Sequence, residues 1–179
     1  MKKENMTLYI LRLAVTLLLI AGLMAAALAG VNAITKDKIA AIKEQKTLDA
    51  IAVVLPGVDG LEEQTVADTS GVVKALYASG DNYAVQVAPI GFDGAITMMV
   101  GISQGKVTGI SIISHTETPG LGAVAAAENA KGEAFRGQFA GGDSFAVGTN
   151  VDAMSGATIT SKAVTSGVNT ALEYVKTLG

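Results

Sequence analysis

Residues 152–161 read Asp-Ala-Met-Ser-Gly-Ala-Thr-Ile-Thr-Ser, and they hold the most suggestive chemistry in the chain. Gly156 and Ala157 separate the hydroxyls of Ser155 and Thr158, and a helical pattern begins just beyond. Glycine lets a backbone approach a ligand closely, and the open N–H groups and dipole at a helix N-terminus favour an anion, so the segment suits a phosphate. The same residue types also make an ordinary helix cap, and spacing alone does not separate the two readings.

A second constellation is His115-Thr-Glu117-Thr118-Pro119-Gly120-Leu121-Gly122. Pro119 fixes φ, while Gly120 and Gly122 permit close backbone approach, which gives a rigid loop. His115 is the sole histidine, which speaks against a histidine-based metal site. With no cysteine in the chain, disulfides, thiolate-bound iron–sulfur clusters, thiol-linked haem and cysteine nucleophiles are excluded. A redox protein of this composition needs an organic cofactor. Beyond Ile34 there are ten Lys/Arg against fifteen Asp/Glu, a formal charge of −5, which argues against nucleic acid as a partner.

The Asp152–Thr158 segment resembles the Asp-x-x-Ser/Thr-Gly-Ala-Thr motif of domains that carry FMN covalently. The 115–122 loop and Gly91-Phe92-Asp93-Gly94 match the same family. All three occur in this order in the G subunits of Rnf electron-transport complexes and in the related C subunits of sodium-translocating NADH:quinone reductases. The resemblance covers roughly residues 72–178. It implies an FMN phosphate esterified to Thr158, with Ser155, Gly156 and Ala157 around it, and Glu117, Thr118 and Leu121 against the flavin.

A threonine hydroxyl is a poor unassisted nucleophile, so a separate flavin transferase, using FAD and Mg²⁺, is implied as the enzyme that makes the bond. Asp152 then belongs to the segment that enzyme recognises, or is a turn carboxylate. The start of the last helix and Lys162 are placed to stabilise the phosphodiester charge, although Lys162 also reads as a solvated lysine. Glu117 has a surface or capping carboxylate as its other reading, and Met98, Met99 and Met154 read as core rather than ring contacts.

The family implies electron transfer among Rnf membrane and electron-transfer subunits that couple ferredoxin:NAD oxidoreduction to Na⁺ or H⁺ transport, with no catalytic residue and no turnover by the isolated chain. Two other readings stand beside it. One is a stand-alone exported flavoprotein or flavin-bearing sensor domain, and the other a cofactor-free scaffold in which the Thr158 region is only a cap.

The elements that must position these residues follow from the hydrophobic pattern. Residues 13–31 carry no charge, enough to cross a hydrocarbon core of about 30 Å. Lys2, Lys3 and Arg12 precede them, which predicts a cytoplasmic N-terminus and a flavin domain on the outer or periplasmic side of the cell membrane. Ala27-Leu28-Ala29 before Gly30 matches a signal-peptide cleavage site, but the apolar run exceeds a usual signal core and reads as a retained anchor in the lipid bilayer.

Thr35 to Leu55 is predicted as a helix with Thr35 as its N-cap, and 57–71 as a surface loop. Strands are predicted at 72–78, 83–88, 95–102 and 106–114, an antiparallel meander of about four. A helical stretch over 123–139, with candidate breaks at Gly132 and Gly137, a short strand at 144–147 and an amphipathic helix from Thr160 to Leu178 complete the chain. The expected organisation is a cytoplasmic N-terminus (1–12), an anchor (13–34), a helix and loop (35–71) and a covalent FMN-binding domain (72–179). The expected fold class is α+β, one antiparallel sheet packed by helices.

Overall fold

The computed structural model describes residues 6–178, and they fall into two compact units, 6–45 and 46–178. The basic pair Lys2 and Lys3 lies outside the described residues. Helix α1 runs without interruption over Met6–Val54. Within the first unit it is long and apolar enough to cross a membrane, with a most apolar window of mean hydropathy 2.4 and none of that window buried. Leu17, Leu18, Leu19 and Leu23 all face outward there. Thr35 is not an N-cap: its hydroxyl donates back to the Val31 carbonyl at 2.8 Å, satisfied inside a continuing helix as Thr16 is on Arg12.

The second unit is α+β. Its sheet comprises β1 (Glu62–Gln64), β2 (Val73–Ser79), β3 (Asn82–Val87), β4 (Thr97–Ser103) and β5 (Lys106–Ser114), paired antiparallel in sequence order. Alternation supplies two faces. Val85, Val87, Met98, Val100, Ile102 and Ile110 bury against α3 (Thr158–Lys176), whose Val164, Val168, Ala171 and Leu172 form the facing stripe, and against Phe135, Phe139 and Phe145. On the opposite face Ala84 and Met99 receive Ala50, Ile51, Val54 and Leu55 from the end of α1. That end docks by an intimate contact. The Thr108 hydroxyl donates to the Val54 carbonyl, and a Cβ at Gly101 would overlap the same carbonyl. The two methionines Met98 and Met99 are thus core residues on opposite faces of the sheet.

Four further sequence expectations change. The 57–71 segment contains β1, an edge strand of three exposed residues, so the sheet has five strands. Residues 144–147 form no strand, and Val147 makes a single bridge with Val151. The stretch predicted helical over 123–139 divides into a 3₁₀ turn, Gly122–Ala126, and α2, Ala130–Gly137, capped by the Asn129 side chain on the N–H groups of Lys131 and Gly132. Gly132 is no break. It lies inside α2, where a Cβ would strike the Val124 and Ala127 carbonyls, so glycine lets the two elements touch. Finally, α3 runs over Thr158–Lys176, beginning and ending two residues earlier than the predicted Thr160 to Leu178.

Candidate functional site

Helix α3 presents an unusual N-terminus. Its N-cap is Ala157 (φ −132°, ψ 43°), which has no side-chain oxygen and makes no cap hydrogen bond. The first N–H to find a partner at this end is that of Ser161, on the Ala157 carbonyl at 2.9 Å. Among the described residues, the N–H groups of Thr158, Ile159 and Thr160 have no hydrogen-bond partner at the positive end of this 19-residue helix. Thr158 itself is exposed.

The preceding turn is held from below. Ser161 is fully buried; its hydroxyl donates to the Ala157 carbonyl at 2.9 Å and accepts from the Met154 N–H at 3.0 Å. The Ala157 N–H closes the turn on the Met154 carbonyl at 3.0 Å, and Gly156 takes φ +73°, a left-handed conformation that glycine adopts without steric cost. Ser161 thus fixes the segment ahead of Thr158, a role that its place in the motif did not disclose.

Glu117 is the second organising residue, and it is only 5% exposed. One carboxylate oxygen accepts from the N–H groups of Phe92 (2.8 Å) and Asp93 (3.3 Å), and the other accepts from the buried Thr160 hydroxyl in the first turn of α3. The carboxylate staples the 91–94 loop to the helix. Gly91 and Gly122 make room for it, since a Cβ at either position would overlap a carboxylate oxygen. The Thr116 hydroxyl adds a bond to the Asp93 carbonyl, so both ends of the loop are anchored.

Between these parts lies a cavity of about 340 Å³ lined by Phe92, Glu117, Thr118, Leu121, Gly122, Gly156, Ala157, Thr158, Ile159 and Thr160. That size is in the range of small-ligand sites. Its rim is apolar and open to solvent: Phe92 is 66%, Ile159 54% and Leu121 44% exposed. Large hydrophobic side chains gathered at one mouth mark a place where something else covers them.

Of the residues singled out from the sequence, Thr158, Gly156, Ala157, Glu117, Thr118 and Leu121 come together around this cavity. Ser155 and Asp152 do not. With Met154, Lys131 and Gln138 they line a neighbouring groove of about 720 Å³ that shares Leu121 with the cavity. Lys162 is exposed and lines a separate depression with Val147, Asn169 and Glu173. His115 is outside the cavity wall, and its buried Nδ1 has no hydrogen-bond partner among the described residues. Phe92, Ile159 and Thr160 are additions. Phe92 belonged to a recognised motif without a role, and nothing in the sequence links Thr160 to a glutamate 43 positions away.

Residues 91–173 match the FMN-binding domain family, and residues 1–54 match the RnfG N-terminal region. The G subunit of a Na⁺-translocating ferredoxin:NAD⁺ oxidoreductase complex from Acetobacterium woodii is 33% identical, over 94% of this chain and 93% of that protein. The G subunit of an ion-translocating oxidoreductase complex from Methanosarcina acetivorans is 30% identical, over 93% and 94% respectively. A third relative is the G subunit of a proton-translocating ferredoxin:NAD⁺ oxidoreductase complex from Clostridium ljungdahlii. It is 46% identical over 104 residues, a match spanning about half of each chain, 53% of this one and 54% of that one. Matched at both ends and aligned almost throughout with two of these relatives, the chain belongs to the RnfG family of G subunits of ion-translocating oxidoreductase complexes and carries an FMN-binding domain.

Proposed function

We propose that this protein is the membrane-anchored flavin carrier of an Rnf-type complex, holding FMN covalently on the Thr158 hydroxyl through a phosphoester bond. One observation carries the reading: an exposed threonine hydroxyl stands at the uncapped N-terminus of α3, on the wall of a cavity with an apolar rim. The residues fit the group. The open N–H groups of Thr158, Ile159 and Thr160 are donors for the phosphate, and Phe92, Leu121 and Ile159 supply apolar surface for a flat ring. When bound, FMN supplies reversible electron acceptance, which no side chain of this cysteine-free protein provides.

Within this reading the chain's own groups position and insulate. The Ser161 clamp and Gly156 turn present Thr158, and the Glu117 staple keeps the Phe92 loop upright. In the attachment step the Thr158 oxygen attacks the FMN phosphorus of FAD in the active site of a flavin transferase. The bond to the AMP moiety breaks, AMP leaves, and the hydroxyl proton passes to a base of that enzyme. Asp152 and Ser155 line the adjoining groove, on the approach that such an enzyme would use. Lys162, pointing to a separate depression, is a counter-charge for the phosphate only at a distance.

The relatives named as ferredoxin:NAD⁺ oxidoreductase subunits support a place among other Rnf subunits, with electrons passed through the flavin and ion transport, of Na⁺ or H⁺, carried out by the complex. The match of residues 1–54 to the RnfG N-terminal region supports a retained anchor, and Arg12 ahead of the span supports an inside N-terminus with the flavin domain outside.

The test is co-expression with a flavin transferase. The denatured protein is expected to fluoresce in a gel under ultraviolet light and to gain the mass of one FMN less one water. An unmodified mass under those conditions refutes covalent attachment.

A further inference from the structure

We infer that Glu117, beyond stapling the site together, is a fixed negative charge that sets the reduction potential of the flavin carried on Thr158. The inference rests on the flavin reading above and adds a task for a residue otherwise explained by packing. Glu117 lines the same cavity as Thr158, Leu121 and Phe92. It is 5% exposed, and the groups that hold it, the Phe92 and Asp93 N–H groups and the Thr160 hydroxyl, are neutral donors. Hydrogen bonds from neutral groups keep a carboxylate in place without cancelling its charge. A buried charge is screened little by water or salt, so its field reaches the cavity.

Each electron that enters from a redox partner brings a negative charge into the cavity, and that charge persists until a proton follows from solvent. The Glu117 carboxylate opposes it, which favours the oxidised flavin and makes the reduced carrier a stronger donor. A purely structural staple does not need this charge. Glutamine has the same shape; its amide oxygen can accept from Phe92 and Asp93 while its NH₂ group donates to the Thr160 oxygen. Retaining a charged group beside an apolar rim, with Gly91 and Gly122 cleared around it, is what the electrostatic role explains.

The experiment is a spectroelectrochemical titration of the full-length flavinylated protein in detergent, comparing wild type with Glu117→Gln, Asp93→Asn and Thr160→Val. Gel fluorescence and intact mass are recorded for each sample. Glu117→Gln is expected to raise the potential by about a tenfold change in the one-electron equilibrium, about 59 mV, and to keep that shift in molar salt. Asp93→Asn removes an exposed carboxylate from the same loop, and any shift it causes is expected to vanish in salt. Thr160→Val keeps the charge and removes one donor, so its potential is expected at or below the wild-type value.

An unchanged potential in flavinylated Glu117→Gln overturns the inference while leaving the flavin reading intact. Equal upward shifts in Glu117→Gln and Thr160→Val also overturn it, because they report a disturbed site rather than a lost charge. If Glu117→Gln does not accumulate, Thr160→Val decides, and a potential above wild type overturns the proposal. A wild-type protein with no flavin after co-expression overturns both readings together.

Discussion

Replacing Thr160 by valine isolates one strut of the site. The side chains are nearly isosteric and both β-branched, so helix propensity and packed volume change little. What is lost is a buried hydroxyl donating to the Glu117 carboxylate, and both residues are at most 5% exposed. Hydrogen bonds to charged groups contribute about 1.5–3 kcal/mol each, and the hydroxyl removed is the donor that holds this carboxylate oxygen to α3. Thr160→Val is therefore expected to cost about 1.5–3 kcal/mol in urea denaturation followed by circular dichroism. Thr170→Val is the internal control, because that hydroxyl only donates back to the Ser166 carbonyl on the same helix at 3.0 Å, at a surface position. It is expected to cost under about 0.5 kcal/mol. Hydrogen exchange supplies a second readout: the Phe92 and Asp93 amides stay protected, since the other carboxylate oxygen still accepts from them. Equal costs for the two variants would show that the carboxylate does not depend on Thr160, and the staple argument would fall.

Three further outcomes are expected. Gly101→Ala places a Cβ against the Val54 carbonyl and the Thr108 hydroxyl, so it should destabilise the second unit by about 1–3 kcal/mol in the same denaturation assay. Asp68 accepts from the Ser70 hydroxyl and from the Val73 and Ser70 N–H groups, and these bonds hold its carboxyl at about 2, below the ordinary 3.8. A lowered folded-state value stabilises above the unfolded value and is lost as the folded form protonates; the stability gap between wild type and Asp68→Asn should be level above pH 4 and close between pH 3.8 and about 2. Leu121→Ala removes one apolar wall of the cavity, and iodide should then quench the attached flavin's fluorescence more strongly without reducing the flavin content.

The strands that alternate were legible because their burial is decided locally. Val85 and Val87 face one way and Ala84 and Gln86 the other, within the strand predicted over 83–88. β1 was not legible, because Glu62, Glu63 and Gln64 are all exposed polar residues whose only reason to be a strand is the neighbouring edge of β2. Gly132 misled for a related reason. Glycine reads as a helix breaker in one dimension, but here it admits two carbonyls of a segment it has not yet met in space. The site shows the same division. Thr158, Gly156 and Ala157 are contiguous and their geometry is short-range, whereas the Glu117–Thr160 bond and the walls made by Phe92 and Ile159 join segments far apart in sequence. Lys162 follows Thr158 by one helical turn, yet it lines a different depression, which a count of residues along a helix does not disclose.

The most direct test of the account is fragmentation mass spectrometry of the flavin-bearing peptide released from the co-expressed protein. The account predicts that the added mass sits on Thr158 alone and that Thr158→Ala yields no flavin peptide. Flavin found on Ser155, Thr160 or Thr118, or retained by Thr158→Ala, would contradict it.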